Sequence, residues 1–216
     1  MPAAAQTNRR RRDAQRSRRA ILDAAEALFA RHGYDAASMG AIARRARVSS
    51  ALPAYFFGGK NALYHAVLER CFAERERRLE PLADEVIAVL QHGGALREAL
   101  QHLIDGYVGF LAERPTFVRL IGWEALRGGR RLRAAPRHSA ALERALRAAL
   151  ATADHAPTPG REPEQLLISA VALCFFPFEH GDTMLSPMGI DAADPAFVSA
   201  RKAHVVDALT RIIDAP

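Results

Sequence analysis

Apolar residues recur at helical spacing along nearly the whole chain, and this periodicity limits the fold more than any other feature. Ile21, Leu22, Ala25, Leu28 and Phe29 form one such stripe, at positions i, i+1, i+4, i+7 and i+8. No segment shows a convincing alternation of polar and apolar residues, as a half-buried strand would. The sequence therefore predicts an all-α protein.

Glycine, proline and capping residues divide the chain into segments. Gly33 is expected to end the first helix as a C-cap glycine, and Ser38 to begin the next as its N-cap. We also expect the helix that follows Lys60 to end near Leu79, with a new segment starting at Pro81. The predicted helices cover about residues 16–31, 38–46, 49–57, 61–79, 95–113, 115–127, 137–152, 164–177 and 196–213.

Positive charge is concentrated at the start of the chain. Residues 1–60 contain 12 Lys and Arg against 4 Asp and Glu, whereas residues 61–216 contain 18 against 20. A basic N-terminal segment followed by a nearly neutral remainder is typical of a protein that contacts nucleic acid.

Residues 38–57 have the composition of a helix-turn-helix. Ala43 is small enough for a second helix to approach closely, Val48 is an apolar residue in the turn, and Phe57 and Leu63 supply apolar anchors. These residues alone leave an ordinary helical hairpin open as the alternative.

A longer series of residues resembles the N-terminal domain of the TetR family of bacterial transcriptional regulators, across about residues 18–68. The series comprises Ile21-Leu22-Asp23-Ala24-Ala25, Leu28-Phe29, His32-Gly33-Tyr34, Ser38-Met39, Ile42-Ala43, Ala46, Val48-Ser49, Tyr55, Phe57, Gly58, Lys60 and Ala62-Leu63-Tyr64. Residues 115–126 and 172–194 resemble a variant of the family's ligand domain, which is a weaker signal. The resemblance implies a homodimer that binds a pseudo-palindromic DNA operator, usually as a repressor that a small molecule releases.

The resemblance also implies which residues meet DNA. Ser38 should cap a helix at a phosphate, Lys60 should contact a phosphate, and the second short helix should face the groove. The DNA-binding set is Arg9, Arg10, Arg11, Arg12, Ser38, Arg47, Ser49, Ser50, Ala51, Leu52, Tyr55 and Lys60. The four arginines belong to residues 1–15, which we expect to form a disordered basic arm that follows the phosphates or enters the minor groove. A solvated tail without function is the alternative for the arm.

Four positions depart from the family pattern. Arg47 stands at the turn glycine, Pro53 at an apolar position of the second short helix, and Ala54 and Phe56 at an aromatic and a histidine. With Ser50 as N-cap, Pro53 would lie at N3, where its missing N–H has no helical partner to lose. Few polar side chains remain to read bases, so phosphate contacts and DNA shape should carry more of the binding.

The remainder of the chain is expected to form a larger helical domain for effector binding and dimerisation. The predicted boundaries are 1–15 for the arm, 16–64 for the DNA-binding domain and 65–216 for the effector domain. An apolar pocket for a small apolar or aromatic effector is predicted from Tyr107, Phe110, Phe117, Trp123, Phe175 and Phe176, with Arg119, Glu124 and His180 as polar anchors. The dimer interface is predicted from Leu167, Val171, Cys174, Val205 and Leu209, because residues 166–178 are apolar nearly all round.

No catalytic motif and no Cys/His metal framework occurs in the sequence, so neither an enzyme nor a cofactor or metal protein is predicted. Cys71 and Cys174 lie in apolar contexts and are expected to be buried, reduced thiols. No signal peptide or spanning segment is recognisable, so a cytoplasmic location is expected. Two alternatives to a ligand-released repressor remain: an activator or constitutive regulator without a small-molecule switch, and a helical enzyme or carrier whose arginines are incidental.

Overall fold

The computed structural model describes residues 2–132, 140–152 and 162–214. Within these ranges the chain forms helices and turns but no strand, so the all-α prediction is confirmed. The helices are α1 (Pro2–Ala36), α2 (Met39–Ala46), α3 (Leu52–Phe57), α4 (Lys60–Gln91), α5 (Leu96–Glu113), α6 (Pro115–Leu126), α7 (Ala140–Leu150), α8 (Pro163–Glu179) and α9 (Pro195–Asp214), with short π and 3₁₀ turns at Gly181–Leu185 and Ser186–Met188. None of these helices is long and apolar enough to cross a lipid bilayer.

The helices belong to two compact units. The first comprises Met1–Cys71 with Arg119–Ala135, and the second comprises Phe72–Val118 with Pro136–Pro216. This division differs from the predicted boundary between residues 64 and 65. Helix α4 is continuous through that boundary, and a stretch of about 17 residues from the middle of the chain belongs to the first unit.

Helix α1 is longer than the sequence analysis expects. It begins at Pro2 rather than near Arg16, so the structure replaces the expected disordered arm with helix. The physical reason is local: proline is well suited to the first helical position, and no glycine or proline follows it before Gly33. Gly33 breaks the helical path with φ 73° and ψ 174°, so the break lies where the C-cap glycine is predicted, but its ψ is extended instead of left-handed.

Helix α4 corrects the expectation that a new segment starts at Pro81. The helix runs through this proline to Gln91. Leu79, Ala83, Val86 and Leu90 are all buried, at helical spacing, whereas Pro81 is exposed. Burial of one continuous apolar stripe offsets the roughly 3 kcal/mol that an internal proline costs.

The core of the second unit is built around α5. This helix packs against α7, α8 and α9, and eight of its side chains are buried. Leu82 of α4 lies directly against Gly106, where a Cβ atom would come within 2.0 Å of the leucine Cδ1. A glycine in the middle of α5 therefore permits the close approach of these two helices.

Candidate nucleic-acid interface

Helix α2 is fixed at both ends by local hydrogen bonds. At its start, the Ser38 Oγ accepts a hydrogen bond of 3.1 Å from the Ala41 N–H, which confirms the predicted N-cap. At its end, Arg47 is left-handed with φ 56° and ψ 43°, and Val48 N–H donates to the Ala43 carbonyl at 3.1 Å. This arrangement is a Schellman motif, which normally takes glycine where this chain has arginine.

Helix α3 begins later than the sequence analysis expects. It spans Leu52–Phe57, with Ala51 rather than Ser50 at the N-cap position and no side-chain capping bond. Pro53 therefore lies at N2 instead of N3, where its missing N–H still has no helical partner to lose. Its ring is buried, so this position supports the packing of α3 instead of facing a groove.

The turn and the outer side of α3 form an exposed polar and cationic surface, here called the α2–α3 surface. Its exposed residues are Ser38, Arg44, Arg45, Arg47, Ser49, Ser50, Ala51, Ala54 and Tyr55. Tyr55 is 79% exposed, and Leu52 is partly buried. An exposed phenol and hydroxyls next to three arginines provide hydrogen-bond donors for phosphates and base edges, with the arginines adding charge.

Lys60, at the start of α4, contacts residues at the end of α1 in the first unit. Its ammonium donates a hydrogen bond of 3.0 Å to the Asp35 carbonyl and lies 4.6 Å from the centre of the Tyr34 ring. An ammonium has three N–H donors, so the group stays able to donate to a phosphate as well. These contacts place the charge beside the end of α1, which sequence reasoning did not foresee.

The arginines of the arm, Arg9, Arg10, Arg11 and Arg12, are all exposed on the first turns of α1. Further along the same helix, the Arg18 guanidinium lies 5.0 Å from the centre of the Phe57 ring at the end of α3. This cation–π contact ties α1 to α3 next to the α2–α3 surface.

In the same unit, residues 119–131 pack against α1 and the start of α4. Trp123 Nε1 donates to the Ala30 carbonyl at 3.1 Å, and the indole covers Gly33, where a Cβ atom would lie 3.1 Å from the ring. The Tyr64 hydroxyl donates to the fully buried Glu124 at 2.9 Å. Trp123 and Glu124, which are predicted to line an effector pocket, therefore connect α6 with α1 and with the start of α4.

Tyr64 and Tyr34 form the aromatic part of these contacts. Burial raises the pKa of the Tyr64 hydroxyl well above its ordinary value, and the hydrogen bond to Glu124 adds to the rise, so the phenol stays a donor. The Arg131 guanidinium lies 3.9 Å from the centre of the Tyr34 ring and 5.6 Å from that of Tyr64. Arg131 was missed by the sequence analysis because it lies in a turn outside any periodic pattern.

Only part of the predicted effector set is brought together. Tyr107, Phe110 and Phe117 are buried in the second unit, with ring centres of Phe110 and Phe117 5.1 Å apart and those of Phe117 and Phe175 6.5 Å apart. Phe176 is 42% exposed, and its ring centre lies 4.6 Å from that of the half-buried His180, with the two rings tilted by 44°. Arg119 is exposed, which leaves it solvated, so the two predicted anchors Arg119 and His180 do not join the buried aromatic cluster.

The residues predicted for the dimer interface also fall into a buried group and a partly exposed group. Cys174, Val205 and Leu209 are fully buried within a single chain, which corrects their assignment to an interface. Leu167 and Val171 are half-buried, whereas Ile168 is 60% exposed. Helical periodicity identified α8 as apolar on several sides, but the burial pattern shows which side faces the core.

A short brace helix, a sharp turn and an exposed recognition helix with arginines around it are the parts of a helix-turn-helix DNA-binding protein. Comparison with known families agrees. Residues 21–67 match the family described as bacterial regulatory proteins, tetR family, and residues 97–209 match the tetracyclin repressor-like C-terminal domain. The chain belongs to the TetR family of bacterial regulatory proteins, and it is a DNA-binding transcriptional regulator.

Individual relatives support the same assignment. The chain is 26% identical over 193 residues to the HTH-type transcriptional repressor NicS of Pseudomonas putida, covering 87% of this chain and 88% of that protein. It is 30% identical over 118 residues to the HTH-type transcriptional repressor SCO4008 of Streptomyces coelicolor, covering 55% and 54%. Among solved structures, the putative transcriptional regulator SCO4942 of Streptomyces coelicolor superposes with a TM-score of 0.63 at 26% identity, over 91% of this chain and 97% of that one.

Proposed function

We propose that the chain is a homodimeric repressor that binds a pseudo-palindromic operator and leaves it when a small molecule binds the second unit. Two named relatives, NicS and SCO4008, are transcriptional repressors. The proposal assigns the chain no catalytic role and, because it acts on DNA, a cytoplasmic location.

The α2–α3 surface is the observation that carries the DNA-binding part of the proposal. Arg44, Arg45 and Arg47 are exposed around the start of α3, and Tyr55 stands out from its middle. A recognition helix of six residues reads only a few base pairs, so two copies on half-sites about 34–36 Å apart are needed for tight binding. The phosphate contacts then come from the arginines and from the exposed arm.

Helix α8 supplies the apolar face that the homodimer requires. Ile168, Ala172 and Phe176 are exposed and recur every four residues, so they form one stripe on the side of α8 that faces away from the core. An obligate homodimer needs an apolar interface that resembles a divided core. This stripe replaces the predicted interface positions Cys174, Val205 and Leu209 in the proposal, while Leu167 and Val171 remain at its edge.

Selection of bound fragments from a random DNA pool tests the operator. We expect an enriched sequence with two-fold symmetry, whose affinity falls steeply with salt because phosphate contacts dominate. The Tyr55→Ala variant should bind the selected sequence more weakly, whereas Met188→Ala, an exposed position in the second unit, should bind like the parent. Enrichment of no symmetric sequence would contradict the proposal.

The dimer is tested on the same protein with Ile168→Asp. A charge in the apolar stripe should give a folded monomer that no longer retains operator DNA. Ala88→Asp, which places the same charge at an exposed position of α4, is the control and should stay dimeric. Light scattering and circular dichroism on each sample separate monomer formation from unfolding, and tight operator binding by a wild-type monomer would refute the dimer.

Effector release is tested by fluorescence anisotropy of labelled operator during a compound screen. A compound that binds the protein should weaken operator binding, since a ligand shifts an equilibrium by its differential affinity for the two states. Binding of compounds without any change in DNA affinity would favour a constitutive regulator instead.

A further inference from the structure

Arg75 is a buried cation in the interior of the second unit. It lies on the same stripe of α4 as Phe72 and Leu79, and it is only 5% exposed. Its Nη2 donates a hydrogen bond of 2.6 Å to the neighbouring Glu76, whose side chain is 24% exposed. Its Nε is buried and has no hydrogen-bond partner among the residues that the structure describes.

Two aromatic rings lie close to this guanidinium. Its carbon lies 5.3 Å from the centre of the Phe72 ring and 5.9 Å from that of Phe117. Phe117 in turn meets Phe110 and Phe175, in edge-to-face contacts at 5.1 Å and 6.5 Å. The charge of Arg75 also reaches Tyr107, where it opposes the rise in the hydroxyl pKa that burial causes.

A buried arginine donor without a partner is rare in folded proteins, since the loss of its hydration is not compensated. Purely structural arginines use their donors on backbone carbonyls or carboxylates. The Nε and Nη2 atoms of Arg75 point the same way and can donate two parallel hydrogen bonds. Nη2 donates one to Glu76, whereas Nε donates none. A planar carboxylate with two oxygens satisfies both atoms.

We propose that Arg75 is the anchor of the effector site and that the effector is a monocarboxylate with a flat aromatic body. The ligand carboxylate accepts one hydrogen bond from Arg75 Nε and a second from Arg75 Nη2. It either shares Nη2 with the Glu76 carboxylate or displaces that carboxylate, which can turn towards solvent. The body packs against Phe72, Phe117 and Phe175 by edge-to-face contacts. One guanidinium with an acidic neighbour suits a single negative charge better than a phosphate dianion.

This inference names the ligand class of the effector site and rests on the proposed function. Three matched pairs of probes test it on the full chain by isothermal titration calorimetry: benzoate with benzamide, 2-naphthoate with 2-naphthamide, and 4-phenylbutanoate with 4-phenylbutanamide. We expect at least one carboxylate to bind about tenfold tighter than its amide. The inference is overturned if none of the three carboxylates binds at roughly 1 mM, or if each amide binds with the same affinity as its carboxylate.

Substitution at Arg75 locates the binding energy. Arg75→Gln should weaken the carboxylate about tenfold and leave its amide unchanged. Arg77→Gln, on the same helix but exposed, should leave both unchanged. Arg75→Met is the second variant, because its thioether chain fills the space without a hydrogen-bond donor. Circular dichroism and a melting curve check that this variant keeps the fold. Unchanged carboxylate affinity in either Arg75 variant overturns the assignment.

The same titrations separate this inference from the proposed function. A carboxylate that binds through Arg75 but leaves operator affinity unchanged supports the site and contradicts ligand release. An uncharged compound that releases DNA equally from the parent and from Arg75→Gln supports ligand release and overturns the role of Arg75.

Discussion

Arg47 holds a backbone conformation that its side chain disfavours, so replacing it with glycine should stabilise the protein. Its φ of 56° and ψ of 43° are left-handed, and it has the only positive φ of a non-glycine residue in the described ranges. A Cβ atom there costs roughly 1–2 kcal/mol. Glycine avoids that cost but gains freedom in the unfolded chain worth about 0.5–1 kcal/mol.

The difference predicts a net gain of about 0.5–1 kcal/mol in the free energy of unfolding. The Arg47 side chain is exposed, so its removal takes little packing away. For a chain of this length, 1 kcal/mol moves Tm by roughly 2–4 °C, and we expect Arg47→Gly to melt about 1–4 °C higher. Differential scanning calorimetry at matched pH and salt measures this shift.

Two controls isolate the backbone effect. Arg47→Ala keeps the Cβ atom and should show no comparable gain, while Arg45→Gly, in the exposed last turn of α2, should lose about 1 kcal/mol. If Arg47 also contacts a phosphate, both Arg47 variants should lower the salt slope of operator binding by about 0.9. A lower Tm for Arg47→Gly, or equal gains from glycine and alanine, would refute the reasoning.

Three further predictions concern other parts of the chain. Deleting residues 1–15 removes four arginines and one aspartate, so the salt slope of operator binding should fall by about 0.9 for each lost phosphate contact, and an unchanged slope would make the arm a bystander. Gly33→Ala should lower Tm more than Gly58→Ala, because both have positive φ but only at Gly33 would the new Cβ meet Trp123; equal losses in thermal melts would show that this contact adds nothing. Burial raises the pKa of the Cys174 thiol from 9.0 to about 12, so the folded protein keeps a proton that the unfolded chain loses, and stability should fall as pH rises from about 9. Cys174→Ala should make this fall shallower in urea titrations across that range, and an identical pH dependence would contradict the assignment.

The sequence determined the features that depend on neighbours along the chain. The Ser38 cap and the break at Gly33 follow from what each residue does to its own backbone, and the structure confirms both. The left-handed conformation of Arg47 is different, because the arginine side chain disfavours it. The same local logic, applied with too little weight on helix propensity, made residues 1–15 an expected coil, whereas residues 2–15 form the start of α1. The all-α class followed because helical periodicity persists over many residues.

Only the tertiary structure decided which helix face meets which partner. Trp123 and Phe117 occupy one helix and looked equivalent in sequence, yet Trp123 braces α1 while Phe117 joins the buried cluster beside Arg75. Cys174 and Ile168 are both apolar positions of α8, but one is buried and the other exposed. A periodic pattern shows that a side chain needs burial, but the identity of the neighbour depends on how separate helices pack in space. Sequence analysis did not single out Arg75, because its burial beside Phe72 and Phe117 depends on how α4 and α6 pack.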